Sequence, residues 1–411
     1  MLVDSRSVEF GSHLGTLELS SSKSELNRAL ILQALYPTIS ISGHSSADDV
    51  RVMQRALSQQ NGNIDCHHAG TALRFLTAYF ASKEGVSVVL KGSSRLHERP
   101  IAPLVQALRS LGASITYLEK EGFPPLKITG QKLTNHSVTI SAAQSSQFVT
   151  ALLLIGASLP NGLDLTLEDE VVSAPYIAMT LTLLKSIGVE LQQHDNRIQI
   201  SLLPEVIPQT IPLESDWSSA SYYYAIIALA AVGTSISLNT FLPQSRQGDA
   251  EVAQLFANFG VSTTYEQNAI YLKKETAARQ DPACEWQFHL VDQPDLAQTI
   301  AVTCAGLGHN AFISGLQSLK IKETDRLLAL QTELAKLGVS VQITENSLRM
   351  QPPQQLKSDV QIDTYNDHRM ALAFACLAVK MPIVIQNPEV VAKSYPEFWT
   401  HLAQIGFRCE N

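Results

Sequence analysis

Lys320-Ile321-Lys322-Glu323-Thr324-Asp325-Arg326-Leu327 is followed by Leu328, Leu330 and Leu334, then Leu337-Gly338, then Ser340-Val341-Gln342-Ile343 and Ser347-Leu348-Arg349-Met350. Apolar residues at helical spacing predict a helix opening at the first of these runs. Gly338 after Leu337 fits a helix C-terminus that ends in the left-handed conformation. The last two runs alternate in polarity and predict a hairpin. The same order of helix, glycine stop and hairpin recurs. Leu111-Gly112, Ile187-Gly188, Phe259-Gly260 and Ile405-Gly406 end helical segments in the same way. Hairpins are predicted at Ser114-Ile115-Thr116-Tyr117 with Leu126-Lys127-Ile128, and at Glu190-Leu191 with Arg197-Ile198-Gln199-Ile200.

The glycines recur at about 70–80 residues, which is longer than solenoid repeats and implies subdomain duplication. A sixth repeat would end near Gly62, only about 50 residues before Gly112, so the first repeat is short by roughly 25 residues. Each repeat holds an earlier helix as well, predicted over 24–36, 71–82, 147–158, 218–231, 294–306 and 367–379. Three repeats precede a break at Pro212-Leu213-Glu214-Ser215-Asp216 and three follow it. A first strand, Leu2 to Glu9, is expected to return to the second half. The reading is therefore an α/β chain in two domains, 1–20 plus 214–411 and 21–213.

Length and composition fit that picture. The chain has 411 residues, 45% hydrophobic and 17% charged, which suits two or three globular domains. The longest apolar run, Tyr222 to Val232, is too short to span a bilayer. No basic, then apolar leader opens the sequence. Five scattered cysteines without metal-ligand spacing lead us to expect reduced thiols and a cytoplasmic location. A net charge of −8 argues against nucleic acid or an anionic membrane as partner. An anion site must then be a local concentration of cations in an acidic protein.

Lys322 and Arg326 form such a concentration. Four apart in a first helical turn, they repel each other and oppose the helix dipole. A bound anion would reverse both penalties; a solvated helix start screened by Glu323 and Asp325 is the alternative. Other helix starts repeat the anomaly. Ser22-Lys23-Ser24, Ser145-Ser146, Ser218-Ser219 and Asn366-Asp367 with Arg369 stand before helices, as do Arg99, with Pro100 near N1, and Lys393. Ser, Asn and Asp there are good N-caps, and backbone N–H groups backed by cations also make anion sites.

In order along the chain stand Ser22-Lys23-Ser24-x-x-Asn27-Arg28, Ala69-Gly70-Thr71-Ala72-Leu73-Arg74, Glu98-Arg99-Pro100-Ile101, Ser145-Ser146-Gln147-Phe148, Gln247-Gly248-Asp249, Lys322-Glu323-Thr324-Asp325-Arg326-Leu327 and Asp367-His368-Arg369-Met370. Together they resemble the EPSP synthase (3-phosphoshikimate 1-carboxyvinyltransferase) family of enolpyruvyl transferases over nearly the whole chain. The resemblance implies a two-domain inverted α/β barrel with six βαβαββ repeats, three per domain. It implies transfer of the enolpyruvyl group of phosphoenolpyruvate to the 5-hydroxyl of shikimate 3-phosphate. These two small molecules are the expected partners of a monomer, with no cofactor and no metal. Four anionic substrate groups then explain seven cations: Lys23, Arg28, Arg99, Lys322, Arg326, Arg369 and Lys393. Each half is expected to carry excess positive charge.

By the same resemblance, shikimate 3-phosphate is held by Lys23, Ser24, Arg28, Ser145, Ser146, Gln147, Ser173, Asp295, Ser318 and Lys322. Phosphoenolpyruvate is held by Lys23, Gly70, Arg99, Gln147, Arg326, Arg369 and Lys393. Asp295 is the candidate base at the hydroxyl; its local alternative is a helix N-cap. Glu323 and Lys322 are candidates for proton traffic at the methylene carbon, assisted by Lys23. A carboxylate among cations suits a base better than an acid. The chain departs from the family pattern at Ser21-Ser22 (commonly Pro-Gly), His68 (Asn) and Ser318 (Asn). Two alternatives remain. The sister enzyme acting on UDP-N-acetylglucosamine carries a Cys before the Arg-Pro pair and Lys-Asn in place of Lys23-Ser24. A non-catalytic ligand-binding descendant would not need Asp295, Lys322, Glu323 and Arg369 intact.

Overall fold

The computed structural model describes residues 1–278 and 284–410. Strand Asn61–Asp65 leads through helix Gly70–Ala81 to strand Ser87–Lys91, then through helix Ala102–Ser110 to the hairpin Ser114–Tyr117 and Leu126–Thr129. The first two strands pair in parallel, and the hairpin adds to them antiparallel. This is one βαβαββ repeat. Residues 137–200 and 286–351 form two more with the same strand order. The glycine stops behave as the sequence predicts: Gly112 and Gly338 follow their helices at φ 106° and 88°, a conformation that a Cβ disfavours.

The two remaining four-stranded sheets among the described residues borrow strands from the start of the chain. His13–Glu18 pairs in parallel with Ser235–Asn239. Leu2–Asp4 lies antiparallel between Ile383–Ile385 and Arg408–Glu410. The strand expected over Leu2 to Glu9 does return to the second half but is confined to Leu2–Asp4, and His13–Glu18 is a further strand beyond the expected span. The Asp4 carboxylate turns back to accept from the Arg6 backbone N–H at 2.9 Å, which ends the first strand.

The first repeat is short, as its spacing indicated. Helix Lys23–Leu35, strand Ile39–Ser42 and helix Asp48–Leu57 run straight into Asn61–Asp65 with no hairpin. Among the described residues, strand Ile39–Ser42 pairs only with Gln209–Pro212, in parallel.

The chain forms two compact units: a split unit, Met1–Ser20 with Glu214–Asn411, and a continuous unit, Ser21–Leu213. Each passage is tied down on both sides. Ser21 N–H donates to His44 O and Leu213 N–H to Ser42 O within the continuous unit. Asp216 N–H donates to Ser20 O, and Ser215 Oγ to Leu19 O, within the split unit.

Each unit is built on three inner helices, the first helix of each of its repeats. In the continuous unit these are Lys23–Leu35, Gly70–Ala81 and Ser146–Gly156; in the split unit they are Trp217–Leu229, Ala297–Leu307 and His368–Ala375. They are buried along most of their length and pack on one another, which is the pattern of core helices. Each Leu or Phe buried this way contributes about 1.5–3 kcal/mol. The inner helices therefore have little freedom, and their N-terminal residues are set on rigid elements. No helix among the described residues is long and apolar enough to cross a membrane.

Candidate functional site

In the continuous unit, Ser22 caps the Lys23–Leu35 helix by accepting from Glu25 N–H. Lys23 Nζ reaches Asp49 at 3.1 Å. Arg28 is buried, and its hydrogen-bond partners are neutral: Thr180 Oγ1 at 2.8 Å, Ser24 O at 2.7 Å and Tyr176 O at 3.1 Å. The Phe75 and Tyr176 rings flank it. Burial pulls its pKa down to about 10 against the opposing fields of Tyr176 and Glu25. Such a cation gains from a neighbouring anion.

Gly70 opens the next inner helix between two guanidinium groups. A Cβ there would lie 2.5 Å from Arg99 Nη1 and 2.6 Å from Arg74 Nη1. Arg74 donates back to Gly70 O at 3.0 Å, one turn earlier. Arg99 stands three residues before the helix Ala102–Ser110, which carries Pro103, not Pro100, in its first turn. Gln147 Nε2 donates to Thr71 Oγ1 at 3.0 Å and so joins the starts of two inner helices. Ser145 caps the third by accepting from Gln147 N–H. Ser173 precedes the helix Ala174–Ser186 at φ 57°, a conformation costly for a non-glycine residue and common at ligand clamps.

In the split unit the inner helix starts meet over a charge network. Arg326 is almost fully buried and engages three carboxylates: Nε to Asp367 at 2.7 Å, Nη1 to Asp295 at 3.0 Å and Nη2 to Glu323 at 2.8 Å. Arg369 Nη2 donates to Asp295 at 2.7 Å, and Lys322 Nζ lies 3.7 Å from the same carboxylate. Lys393 Nζ holds the other Glu323 oxygen at 2.9 Å. Ser318 sits half-buried in the 3-10 turn Gln317–Ile321, just before Lys322.

Several expectations change here. Lys322 is not in a helix: the helix begins at Arg326, because Asp325 caps it by accepting from Leu328 N–H at 3.1 Å. Lys322 and Arg326 are brought together by Asp295 and not by helical spacing. Asp295 is not at an N-cap position: it lies inside the 3-10 turn Pro294–Leu296, whose N-cap is Gln293, and its carboxylate faces the cations. Asp216, not Ser218-Ser219, caps the helix Trp217–Leu229. Lys393 ends the 3-10 segment Pro388–Lys393 and does not open the helix Phe398–Gln404. Asp295, Glu323 and Asp367 match the four cations of this unit closely, so the expected excess positive charge is largely absent from it.

The fields are correspondingly strong. Burial would raise the Asp295 pKa, but Arg369, Lys322 and Arg326 outweigh it and hold the carboxyl far below the ordinary range. Burial likewise opposes the Arg326 cation, yet Asp367, Glu323 and Asp295 push its pKa above the ordinary value. Asp249 responds in the opposite direction. Its side chain accepts from Ser218 Oγ, which lies 3.4 Å from Arg369 Nη2. Burial, then the Asp295 charge, push its pKa up to about 6, with Arg369 and Ser218 pulling the other way. The folded state therefore resists ionising Asp249. The penalty is absent below about pH 4, grows through about pH 6 and is full above it. Asp249→Asn should thus stabilise the protein by about 1–3 kcal/mol at pH 7.5 and much less at pH 4.5. Thermal unfolding at the two pH values checks this; an equal gain at both removes the linkage.

Sequence reading missed three residues here. Arg74 and Asp249 stood inside recognised motifs without a role, and Asp49 was not singled out. Asp367, expected as an N-cap, does cap its helix by accepting from Arg369 N–H at 2.9 Å, and it also binds Arg326. The signal for Arg74 was its i+4 spacing from Gly70. Asp49 and Asp249 gave none, since the partners of each lie 26 or more residues away.

Comparison with known proteins agrees with this geometry. The family profile described as EPSP synthase (3-phosphoshikimate 1-carboxyvinyltransferase) matches residues 54–402. The 3-phosphoshikimate 1-carboxyvinyltransferase of Bacteroides fragilis is 45% identical over 95% of both chains. The chain belongs to the EPSP synthase family. The enzyme of that name from Haemophilus influenzae is 34% identical over 95% of this chain and 96% of its own. Among solved structures, EPSP synthase from Acinetobacter baumannii superposes with a TM-score of 0.76 at 20% identity, covering 100% of this chain and 99% of that one. The enolpyruvyl transferase NikO from Streptomyces tendae gives 0.72 at 14% identity, covering 99% and 97%. These two likenesses bear on the fold, which is the enolpyruvyl transferase fold expected from the motifs. Membership of the EPSP synthase family does not favour the UDP-N-acetylglucosamine alternative.

Proposed function

We propose that this protein transfers the enolpyruvyl group of phosphoenolpyruvate to the 5-hydroxyl of shikimate 3-phosphate and releases phosphate. We place it in the cytoplasm, as a monomer that uses neither cofactor nor metal. The observation that carries the reading is the start of the Gly70 helix. There a backbone without a side chain lies against the Arg74 and Arg99 guanidinium groups. Helix N–H groups, two forked cations and no Cβ suit a small dianion.

In the continuous unit we assign Lys23, Gly70, Arg99 and Gln147 to phosphoenolpyruvate. Lys23, Ser24, Arg28, Ser145, Ser146, Gln147 and Ser173 are assigned to shikimate 3-phosphate. In the split unit, Arg326, Arg369 and Lys393 serve the donor, and Asp295, Ser318 and Lys322 the acceptor. Arg28, buried with neutral partners, gains an anionic one in the acceptor carboxylate.

The reaction is an addition followed by an elimination. The acceptor oxygen bonds to C2 of the donor, its proton leaves to a base, and C3 gains a proton. C3 then loses a proton, the bond from C2 to the phosphate oxygen breaks, and phosphate departs. Asp295 is the assigned base at the hydroxyl. Its cations keep it ionised but weakly basic, and substrate anions that engage Arg369 and Lys322 restore basicity by weakening that field. Glu323, Lys322 and Lys23 are assigned to proton traffic at C3.

The test is phosphate release from phosphoenolpyruvate without added metal, with shikimate 3-phosphate or UDP-N-acetylglucosamine as acceptor. Turnover is expected with the first acceptor only; turnover with the sugar nucleotide alone, or with neither, defeats the reading. A second measurement addresses Gly70. Gly70→Ala should raise the KM for phosphoenolpyruvate about tenfold, because the new methyl displaces both guanidinium groups. The thermal midpoint should barely move, since the displaced atoms are side-chain ends and Ala favours helix. An unchanged donor KM would take Gly70 out of the donor site.

A further inference from the structure

The turn that delivers Arg369 is held in an unfavourable backbone conformation. Thr364 O accepts from Asp367 N–H at 2.8 Å, closing a four-residue turn. Its two central residues, Tyr365 and Asn366, both lie at positive φ, 53° and 55°. Two successive left-handed residues are ordinarily Asn and Gly. Asn366 fits that preference, whereas Tyr365, with a bulky side chain, does not. Something must hold it there.

The holding group is a buried carboxylate. Glu333 is fully buried on the helix Arg326–Lys336. One of its oxygens accepts from Tyr365 Oη at 2.5 Å. The other accepts from Asp363 N–H at 3.0 Å and from Lys336 Nζ at 2.7 Å. Lys336 also bridges to Asp363 at 2.8 Å. Burial, then the hydrogen bond and charge of Glu333, keep the Tyr365 phenol above its ordinary pKa, so it remains a donor at working pH. The same helix grips the far side of the turn: Arg326, two turns earlier, binds Asp367, whose carboxylate also accepts from Arg369 N–H at 2.9 Å.

We propose that Glu333 and Tyr365 are positioning residues, a latch that fixes the strained Thr364–Asp367 turn on the Arg326 helix and thereby sets the aim of Arg369. The proposal rests on the assignment of Arg369 to phosphoenolpyruvate. Neither latch residue is among those assigned to a substrate. Their effect should therefore appear in donor use and leave acceptor use alone.

Tyr365→Phe removes one hydroxyl and keeps the ring. It is expected to raise the KM for phosphoenolpyruvate about tenfold, as a small misplacement of an anchoring side chain does. The KM for shikimate 3-phosphate should stay within about twofold and the thermal midpoint within a few degrees of wild type, as one partly exposed hydroxyl contributes little to global stability. Tyr365→Gly gives the sharper contrast. It truncates more, yet glycine accepts positive φ without a latch. Its donor KM should fall between those of wild type and Tyr365→Phe. Equal rises in both KM values, no rise in either, or a Gly variant worse than the Phe variant would overturn the latch while leaving the functional reading intact. Wild-type protein that does not turn over the two substrates defeats the functional reading, and the latch's part in it falls too.

Discussion

Arg326→Met is expected to lower kcat/KM by about a thousandfold and the thermal midpoint by on the order of 10 °C. Arg326 is the hub where Asp295, Glu323 and Asp367 meet, and it is almost fully buried. Removing one partner of a buried ionic network costs about 3–5 kcal/mol, because the opposite charges stay buried without compensation. Here three carboxylates would be left to Arg369, Lys322 and Lys393. Asp295 would lose one of its three cations and would be drawn toward the other two. Arg369 would follow, since it donates to both the carboxylate and the backbone oxygen of Asp295. The chemistry would suffer twice, by lost charge and by misalignment. Arg326→Lys separates the two. It restores the charge without the fork, so stability should recover in part and kcat/KM very little. Steady-state kinetics and thermal unfolding of both variants decide the matter. An Arg326→Met enzyme within tenfold of wild type would show the network to be scaffolding.

Glu323→Gln should lower kcat by about a hundredfold to ten thousandfold, the range of positioned acid–base groups, with the acceptor KM within a few-fold. Gln keeps the shape of Glu. It can still accept from Arg326 or from Lys393, though not from both, and Asp367 and Asp295 continue to orient Arg326. What it cannot do is exchange a proton. The discriminating readout is deuterium entering the methylene group of unreacted phosphoenolpyruvate in D2O with acceptor present. That exchange reports reversible protonation at C3 and should fall together with kcat. If kcat falls while exchange persists, Glu323 is a partner of cations, and Lys322 carries the proton.

The repeat was legible in sequence because it rests on local physics. Glycine after a helix and alternation in a strand announce themselves within a few residues, so helix limits such as Gly70–Ala81 and Ser146–Gly156 lie close to expectation. The short first repeat could be read from spacing alone. The site was legible as a set of residue types and opaque as an arrangement. The Lys322 and Arg326 spacing invited a helical explanation, yet the cap at Asp325 starts the helix later, and Asp295, about 30 residues away, makes the junction. Glu333 carried no signal, because its partner Tyr365 lies on another element. The return of the first strand to the second half was read correctly, but its end at Asp4 and the second strand His13–Glu18 were not, because a strand's limits depend on neighbours hundreds of residues distant.

Those borrowed strands govern the order of events during translation. The continuous unit consists of one uninterrupted segment, and all its strands are available once Gln209–Pro212 has left the ribosome. The split unit is different. Leu2–Asp4 is synthesised long before its neighbours, one at Ile383–Ile385 and the other at Arg408–Glu410. Such long-range pairing forms slowly, and an unpaired strand edge invites wrong partners in the meantime. The nascent chain must therefore hold Leu2–Asp4 in reserve while a whole folding unit emerges behind it, and the split unit stays open to wrong pairing until Arg408–Glu410 has been made.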